Sequence, residues 1–427
     1  MKLIEQIIEL TFTDTAVLPP ESLSLAKLSL FDWVICGLGG CNEPVSQKVR
    51  SYITDNHATG NCSVFGGDKL STVAAALANG TTSHALDYDD THFAHIGHLS
   101  VGVFPAAFAV AQETDDTLNK ALEAFLVGAE AAIKIGMTLG PEHYERGYHQ
   151  TATAGAFGAT VAAVRLYKLS PVQCRAALGL CATRASGLKN QFGTMGKPLN
   201  AGYAASNGVE CAKLAQSGVT SADDGLQGLQ GFIETHSADP VDVADNNRFL
   251  FEDIRFKLHA CCHGTHAMIE AILIALNKQQ FSIEDVKTLQ VCVHPKWLRV
   301  CDNKNPATGL EVKFSYLWLA GMTIKGLPTA DPAVYTDELC RNTELQAFAK
   351  KVTVIAGEMP DTATKIVCCL DNGVEIAIAY DLSESIETSV LSEKLRAKGN
   401  AVVGKQAEAL WAQIQNGRQA ARELSLS

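Results

Sequence analysis

The sequence predicts a mainly α protein, with a large all-helical domain and a smaller α+β domain. Three observations predict it. Helical segments rich in Ala and Gly recur over the first 270 or so residues, with no alternating strand among them. Alternation begins only beyond that point, where an Asn-Gly turn sits between two β-rich runs. Apolar residues make up 47% and charged residues 19% of the 427, enough for a large core in two or three domains of roughly 150 residues each.

The first long helix opens at Pro19-Pro20-Glu21-Ser22, because proline costs nothing in a first turn and an acidic side chain suits that end. Leu25, Leu28, Leu30 and Trp33 follow, and Gly37 to Gly40 close it. Further helices are expected over Thr72 to Asn79, Pro105 to Glu113, Leu118 to Leu139, Thr151 to Lys168, Pro171 to Ser186 and Ala201 to Gly218. Their small side chains let backbones approach closely and be buried on several faces. Val286 to His294 then alternates, with Leu289, Val291 and Val293 on one side. Lys351 to Ile355 is similar, and Lys365 to Leu370, Asp371-Asn372-Gly373 and Val374 to Tyr380 form a hairpin. Leu310 to Leu327 and Thr336 to Lys351 are expected to be helical between these strands. The charged tail, Ser392 to Leu424, turns helical again.

Net charge is −11, and no run of Lys or Arg offsets it. That balance argues against a nucleic-acid surface or a polybasic membrane patch, while a locally positive pocket still suits small anions. No signal-peptide anatomy is found over Met1 to Leu10, and apolar runs such as Val101 to Ala111 fall short of the ~20 residues of a membrane span. Thirteen cysteines, without framework spacing or a CxxC pair, fit free and mostly buried thiols in a reducing cytoplasm.

Histidine carries most of the chemical information. Four of twelve fall in His84-Ala-Leu-Asp87-Tyr88-Asp89-Asp90-Thr91-His92-Phe-Ala-His95-Ile-Gly-His98, alongside three aspartates. A single imidazole is usually structural, but this grouping with carboxylates suits acid–base work. Zinc held by His92, His95 and Asp89 in a metallohydrolase is the alternative from another class, although Gly97 weakens a shared helical face. A second group, His259-Ala-Cys261-Cys262-His263-Gly-Thr-His266, lacks the separated ligand pairs of a structural zinc site. It is either a buried helix start or the source of one imidazole, His266. Gly193-Thr194-Met195-Gly196-Lys197-Pro198 places a cation and pliable backbone just before a helix, an arrangement that receives anions. His149 opens a further helix. No phosphate loop, nucleophile elbow or dinucleotide fingerprint is found, and a thiol nucleophile at Cys261 or Cys262 has no special support.

Ala85-Leu-Asp-Tyr-Asp-Asp-Thr-His92, Gly193-Thr-Met-Gly-Lys-Pro-Leu199 and Cys261-Cys-His-Gly-Thr-His266 stand in an order that resembles the MmgE/PrpD family. That family includes 2-methylcitrate dehydratase, cis-aconitate decarboxylase and iminodisuccinate epimerase. The resemblance implies a helical domain over residues 1–266 completed by helices in 401–427, and an α+β lid over 267–400. It also implies a homodimer that needs no metal or other cofactor. The catalytic set it implies is His98, His149, His266 and Asp87, with Thr91, Lys197, Tyr316 and Trp318 binding substrate. One imidazole would move the proton, His266 would be its partner, and Asp87 would orient a ring. The implied activity is a lyase acting at the carbon α to a carboxylate of a di- or tricarboxylate, with an epimerase as alternative and a non-catalytic scaffold as a third option. Departures from the family pattern are Leu99 in place of Pro, Asn200 where His is common, His259-Ala260 for an aromatic-Pro pair, and Trp318 where Tyr is usual.

Overall fold

A computed structural model describes residues 1–243 and 248–426. It divides into two compact units, Met1–Phe256 with Lys405–Ser427, and Lys257–Gly404. The division falls at Phe256/Lys257 and Gly404/Lys405, against the 266/267 and 400/401 positions expected from sequence.

The first unit is mainly α. Its centre consists of the helices Thr72–Ser83, Ser100–Glu113, Leu118–Glu145, Gln150–Leu166 and Gly196–Gln216, packed on one another. Gly140, with φ +71° and ψ 176°, interrupts the long Leu118–Glu145 helix just where the predicted segment ends. The helix Pro20–Gly40 has the length and composition of a membrane span, but 67% of its most apolar window is buried, so it serves as a core helix here. Small residues set the spacing. A Cβ on Gly80 would lie 2.8 Å from the Cα of Gly202, and one on Gly202 would lie 2.5 Å from the Leu77 carbonyl oxygen. This close approach joins the end of Thr72–Ser83 to the start of Gly196–Gln216. It therefore brings the residue after one helix, His84, to the same end as Lys197 on the other.

One expectation fails in this unit, which is not strand-free. Thr59–Val64 and Gly67–Leu70 form an antiparallel hairpin, and Thr91–His92 pairs with Ile254–Arg255. The hairpin escaped notice because only Cys62, Val64 and Leu70 of its strand residues are buried, among polar residues and glycines. Too few apolar positions alternate to reveal a period of two.

The second unit holds a four-stranded sheet in the spatial order Val352–Ala356, Val286–Val293, Ala363–Leu370, Glu375–Asp381. The first neighbouring pair is parallel and the other two are antiparallel. Val286, Leu289, Val291 and Val293 are buried, matching their alternation. The hairpin turn takes a positive φ at Gly373 alone, while Asn372 accepts from the Val374 N–H at 3.0 Å. The helix His266–Lys278 packs on Ala363–Leu370 and Glu375–Asp381 and is flanked by Tyr316–Ile324. The segment 310–327 is two helices, split where the Ser315 side chain caps Tyr316–Ile324. The 336–351 helix is shorter than expected, Thr343–Ala349. The tail breaks at Gly404, φ +62°, into Thr388–Val403 and Gln406–Asn416. No disulfide joins the cysteines, most of which are buried.

Candidate active site

The loop between Ser83 and Ser100 builds the candidate site. Two non-glycine residues in it, Asp87 (φ +51°) and Ile96 (φ +54°), adopt the left-handed region, which is unusual for a β-branched side chain. His92 and Gly97 bridge across a small loop, with the His92 N–H donating to the Gly97 oxygen at 2.9 Å. Asp90, fully buried, accepts from the N–H groups of Leu99 (3.3 Å) and Ser100 (3.1 Å) and from the Ser100 hydroxyl. It caps the helix Ser100–Glu113 and ties the middle of the loop to its C-terminal end. Burial, with the negative charges of Asp32 and Asp89, pushes its carboxyl up to about 7 despite these hydrogen bonds.

Asp89 is the hub. It is fully buried, with Oδ1 2.8 Å from Nδ1 of His84 and Oδ2 2.8 Å from Nδ1 of His98. Burial alone would raise its pKa, but the charges and hydrogen bonds of the two imidazoles win and hold the carboxyl well below the usual range. His98 is fixed as well by its N–H, which donates to Thr151 Oγ1 at 3.0 Å. The other ring nitrogen, Nε2, lies 3.6 Å from Asp87, and the second oxygen of Asp87 lies 2.6 Å from the Lys197 ammonium. The side chain of Asp87 is 48% exposed, so this pair sits at the open side of a buried Asp–His array. Lys197 also lies over the Phe192 ring, 5.2 Å from its centroid.

His149 completes the group. It precedes the helix Gln150–Leu166, and its N–H donates to the Gly187 carbonyl at 2.9 Å. Gly187 has φ +157°, and a Cβ there would meet Ala152 at 2.4 Å, so a side chain would displace the backbone that anchors His149. The ring lies 6.2 Å from that of His84 and 5.0 Å from that of Phe192. Burial first, then the charges of His84, Lys197 and His98, push its pKa well below the ordinary value, partly opposed by Asp87.

Asp87, His98, His149 and Lys197 are thus brought together, and Thr91 pairs with Arg255 on the short strand leaving the loop. Sequence reasoning gave Asp87 the task of orienting an imidazole; the buried carboxylate that holds His98 at Nδ1 is Asp89, while Asp87 pairs with the cation. The zinc trio does not assemble. His92 spends both nitrogens on backbone, Nε2 on the Leu250 oxygen (2.9 Å) and Nδ1 on the His95 N–H (3.1 Å). His95 is buried, and burial holds it neutral with a pKa of about 3. The donor group among the described residues is instead His84, Asp87, Asp89 and His98, whose ligand atoms lie within 4.8 Å of one another. One of these donors, Asp87, is paired with the Lys197 ammonium at 2.6 Å.

The remaining predicted residues lie in the second unit. His266 opens its helix fully buried, with Nε2 3.4 Å from the Cys261 oxygen and its ring 4.8 Å from that of His263. Burial and the neighbouring His263, His259 and Lys257 push its pKa well down. His259 bonds Thr329 Oγ1 (2.8 Å) and Glu270 (3.3 Å), which also pairs with Lys394. Tyr316 donates its hydroxyl to the Gly264 carbonyl at 2.8 Å, so that group is engaged by backbone. The buried Trp318 Nε1 has no hydrogen-bond partner among the described residues. Sequence reasoning also missed Thr151 and the consequence of Asn200, whose contact with His149 spans 51 residues.

The MmgE/PrpD N-terminal domain matches residues 7–243, and the MmgE/PrpD C-terminal domain matches residues 259–415. The chain belongs to the MmgE/PrpD family. It is 32% identical over 276 residues to the cis-aconitate decarboxylase-like protein oryM of Aspergillus oryzae, covering 60% of this chain and 57% of that one. It is 32% identical over 274 residues to cis-aconitate decarboxylase of Aspergillus terreus (60% and 56%). Identity is 27% over 346 residues to the cis-aconitate decarboxylase of Mus musculus (77% and 70%). The matches to the two Aspergillus proteins therefore span little more than half of their lengths.

Proposed function

We propose that the protein is a lyase acting on a small di- or tricarboxylate, most directly a decarboxylase of a cis-aconitate-type acid. Family membership and the names of its relatives support the reaction class. The single observation that carries it is the chain Lys197–Asp87–His98–Asp89, a paired cation beside a half-exposed carboxylate, backed by a buried, carboxylate-bound imidazole. A substrate carboxylate exchanges for Asp87 on the Lys197 ammonium, which places the reacting carbon beside His98. The bond to the departing carboxylate breaks, CO2 leaves, and the electron pair stays on the carbon skeleton until an imidazolium delivers a proton to it. Lys197 stabilises the negative charge that builds between these events, and Asp89 stabilises the imidazolium. No step calls on a metal.

Epimerisation of an iminodisuccinate-type substrate is the second reading. It is favoured over dehydration by Trp318 and by the Tyr316 hydroxyl, engaged by the Gly264 carbonyl, which leave the helix Tyr316–Ile324 without a tyrosyl acid for a departing hydroxyl; departing CO2 needs none. Incubation with cis-aconitate, 2-methylcitrate and iminodisuccinate in D2O, followed by NMR, separates the two. A decarboxylase should lose CO2 and place deuterium next to a carboxylate of its product, a dehydratase should lose water, and an epimerase should place deuterium there without loss. Neither exchange nor loss on any substrate would sink both readings. Lys197→Ala should reduce kcat/KM at least about 10²-fold at unchanged thermal stability, and unchanged kinetics would remove the anion site. Dialysis against a chelator should leave turnover intact; loss restored by zinc would assign His84, Asp87, Asp89 and His98 to a metal instead.

A further inference from the structure

Asn200 lies in the first turns of the helix Gly196–Gln216 with its side chain buried. Its Nδ2 is 3.2 Å from Nδ1 of His149 and 3.4 Å from the carbonyl oxygen of Leu188. A backbone carbonyl can only accept, so the Leu188 contact fixes the amide nitrogen on this side of the group. The same nitrogen therefore donates to His149 Nδ1, which must present its lone pair. The groups that face this ring are His84, Lys197, His98 and Asp87, and burial with the first three keeps it neutral. A neutral imidazole with a lone pair on Nδ1 carries its proton on Nε2. The backbone bond to Gly187 and the edge contact with Phe192 leave the ring little freedom to turn.

We infer that Asn200 is a positioning residue that holds His149 as the neutral Nε2–H tautomer, so that His149 donates a hydrogen bond to the substrate oxygen that gathers negative charge. It does not deliver the proton to carbon, because Asn200 takes the lone pair that would have to be protonated to make it an imidazolium. That proton belongs to His98, whose Nδ1 faces Asp89 and whose Nε2 faces the Asp87–Lys197 pair. An amide at this position does not titrate, so it selects the same tautomer wherever the ring is neutral. The tautomer stands on geometry alone; the donor role rests on the proposed carboxylate chemistry.

The test is a long-range ¹⁵N spectrum of the full chain labelled in histidine, with His149 identified by its disappearance in His149→Gln. Nε2 should be protonated and Nδ1 bare over about pH 6 to 8, the range in which an unperturbed histidine titrates. A protonated Nδ1 in that range overturns the inference. Asn200→Asp places an acceptor opposite Nδ1, so the proton should move to Nδ1 and the His149 titration should shift upward. In that variant kcat should fall about 10²-fold with KM within about threefold, the size of one lost proton-bearing contact. A moved proton with unchanged kcat would overturn the donor role. If Asn200→Asp does not fold, the wild-type spectrum still decides the tautomer. The spectrum is taken without substrate, so absence of turnover would defeat the proposed function and leave the tautomer standing.

Discussion

Replacing Asp89 by Asn is expected to lower kcat by about 10³–10⁴-fold while leaving KM nearly unchanged. The two residues have the same shape, so the loss is one of charge and proton placement. Asp89 faces Nδ1 of both His84 and His98 at 2.8 Å, and a carboxylate accepts from both. An amide must turn its NH2 towards one of them, which forces that Nδ1 to be bare and moves the ring proton to Nε2. If that ring is His98, the nitrogen facing Asp87 and Lys197 loses its lone pair and can no longer take a proton. If it is His84, His98 keeps its tautomer but loses the buried negative charge that stabilises its imidazolium. Lys197 and Asp87 are untouched, so substrate is still bound, and steady-state kinetics should show the kcat–KM split. Melting temperature should move little, since an isosteric neutral group also removes the cost of burying the charge. A kcat within tenfold of wild type would show that His98 does not depend on Asp89.

The sequence revealed more of the fold than of the site. Helices such as Thr72–Ser83 and Gln150–Leu166 were legible because Ala and Gly with few breakers leave little alternative, and the Val286–Val293 strand because its alternation is clean. The hairpin Thr59–Leu70 was hidden by polar residues. In the His84–His98 window composition identified the right region but could not rank its members. Whether His92, His95 or His98 meets Asp89 is decided by the positive φ values at Asp87 and Ile96, which no spacing rule anticipates for an Asp and a β-branched Ile. Asp90 has the chemistry of a catalytic acid, yet it is a helix cap. Asn200 was visible as a departure from the family, but its meaning lies in a partner on another helix.

Stability of the first unit should fall as pH is lowered from about 6.5 to about 4, because the unfolded chain takes up net protons over that range. The sign follows from which state binds protons. His92, His95, His143 and His149 are held neutral by burial, with pKa values of about 3 for His95 and about 4 for His143. Once unfolded they titrate near 6.5, so between these values the unfolded chain binds more protons and acid favours it. Asp90 and Glu130 act in the opposite sense. Asp90, with its carboxyl raised from 3.8 to about 7, is protonated in the native state at pH values where the unfolded carboxyl has ionised, so its contribution is full below the unfolded value and is lost progressively as pH rises from there through about 7. His236, its pKa lowered by burial, acts with the other imidazoles, so five of them oppose the two raised carboxyls. Urea unfolding followed by helical circular dichroism across this range should show the midpoint dropping steadily. Asp90→Asn removes one opposing group and should steepen the slope by about 1.4 kcal/mol per pH unit. A flat profile, or one that rises towards acid, would mean that the buried imidazoles carry charge in the native protein, and the neutral state assigned to His149 would fall with them.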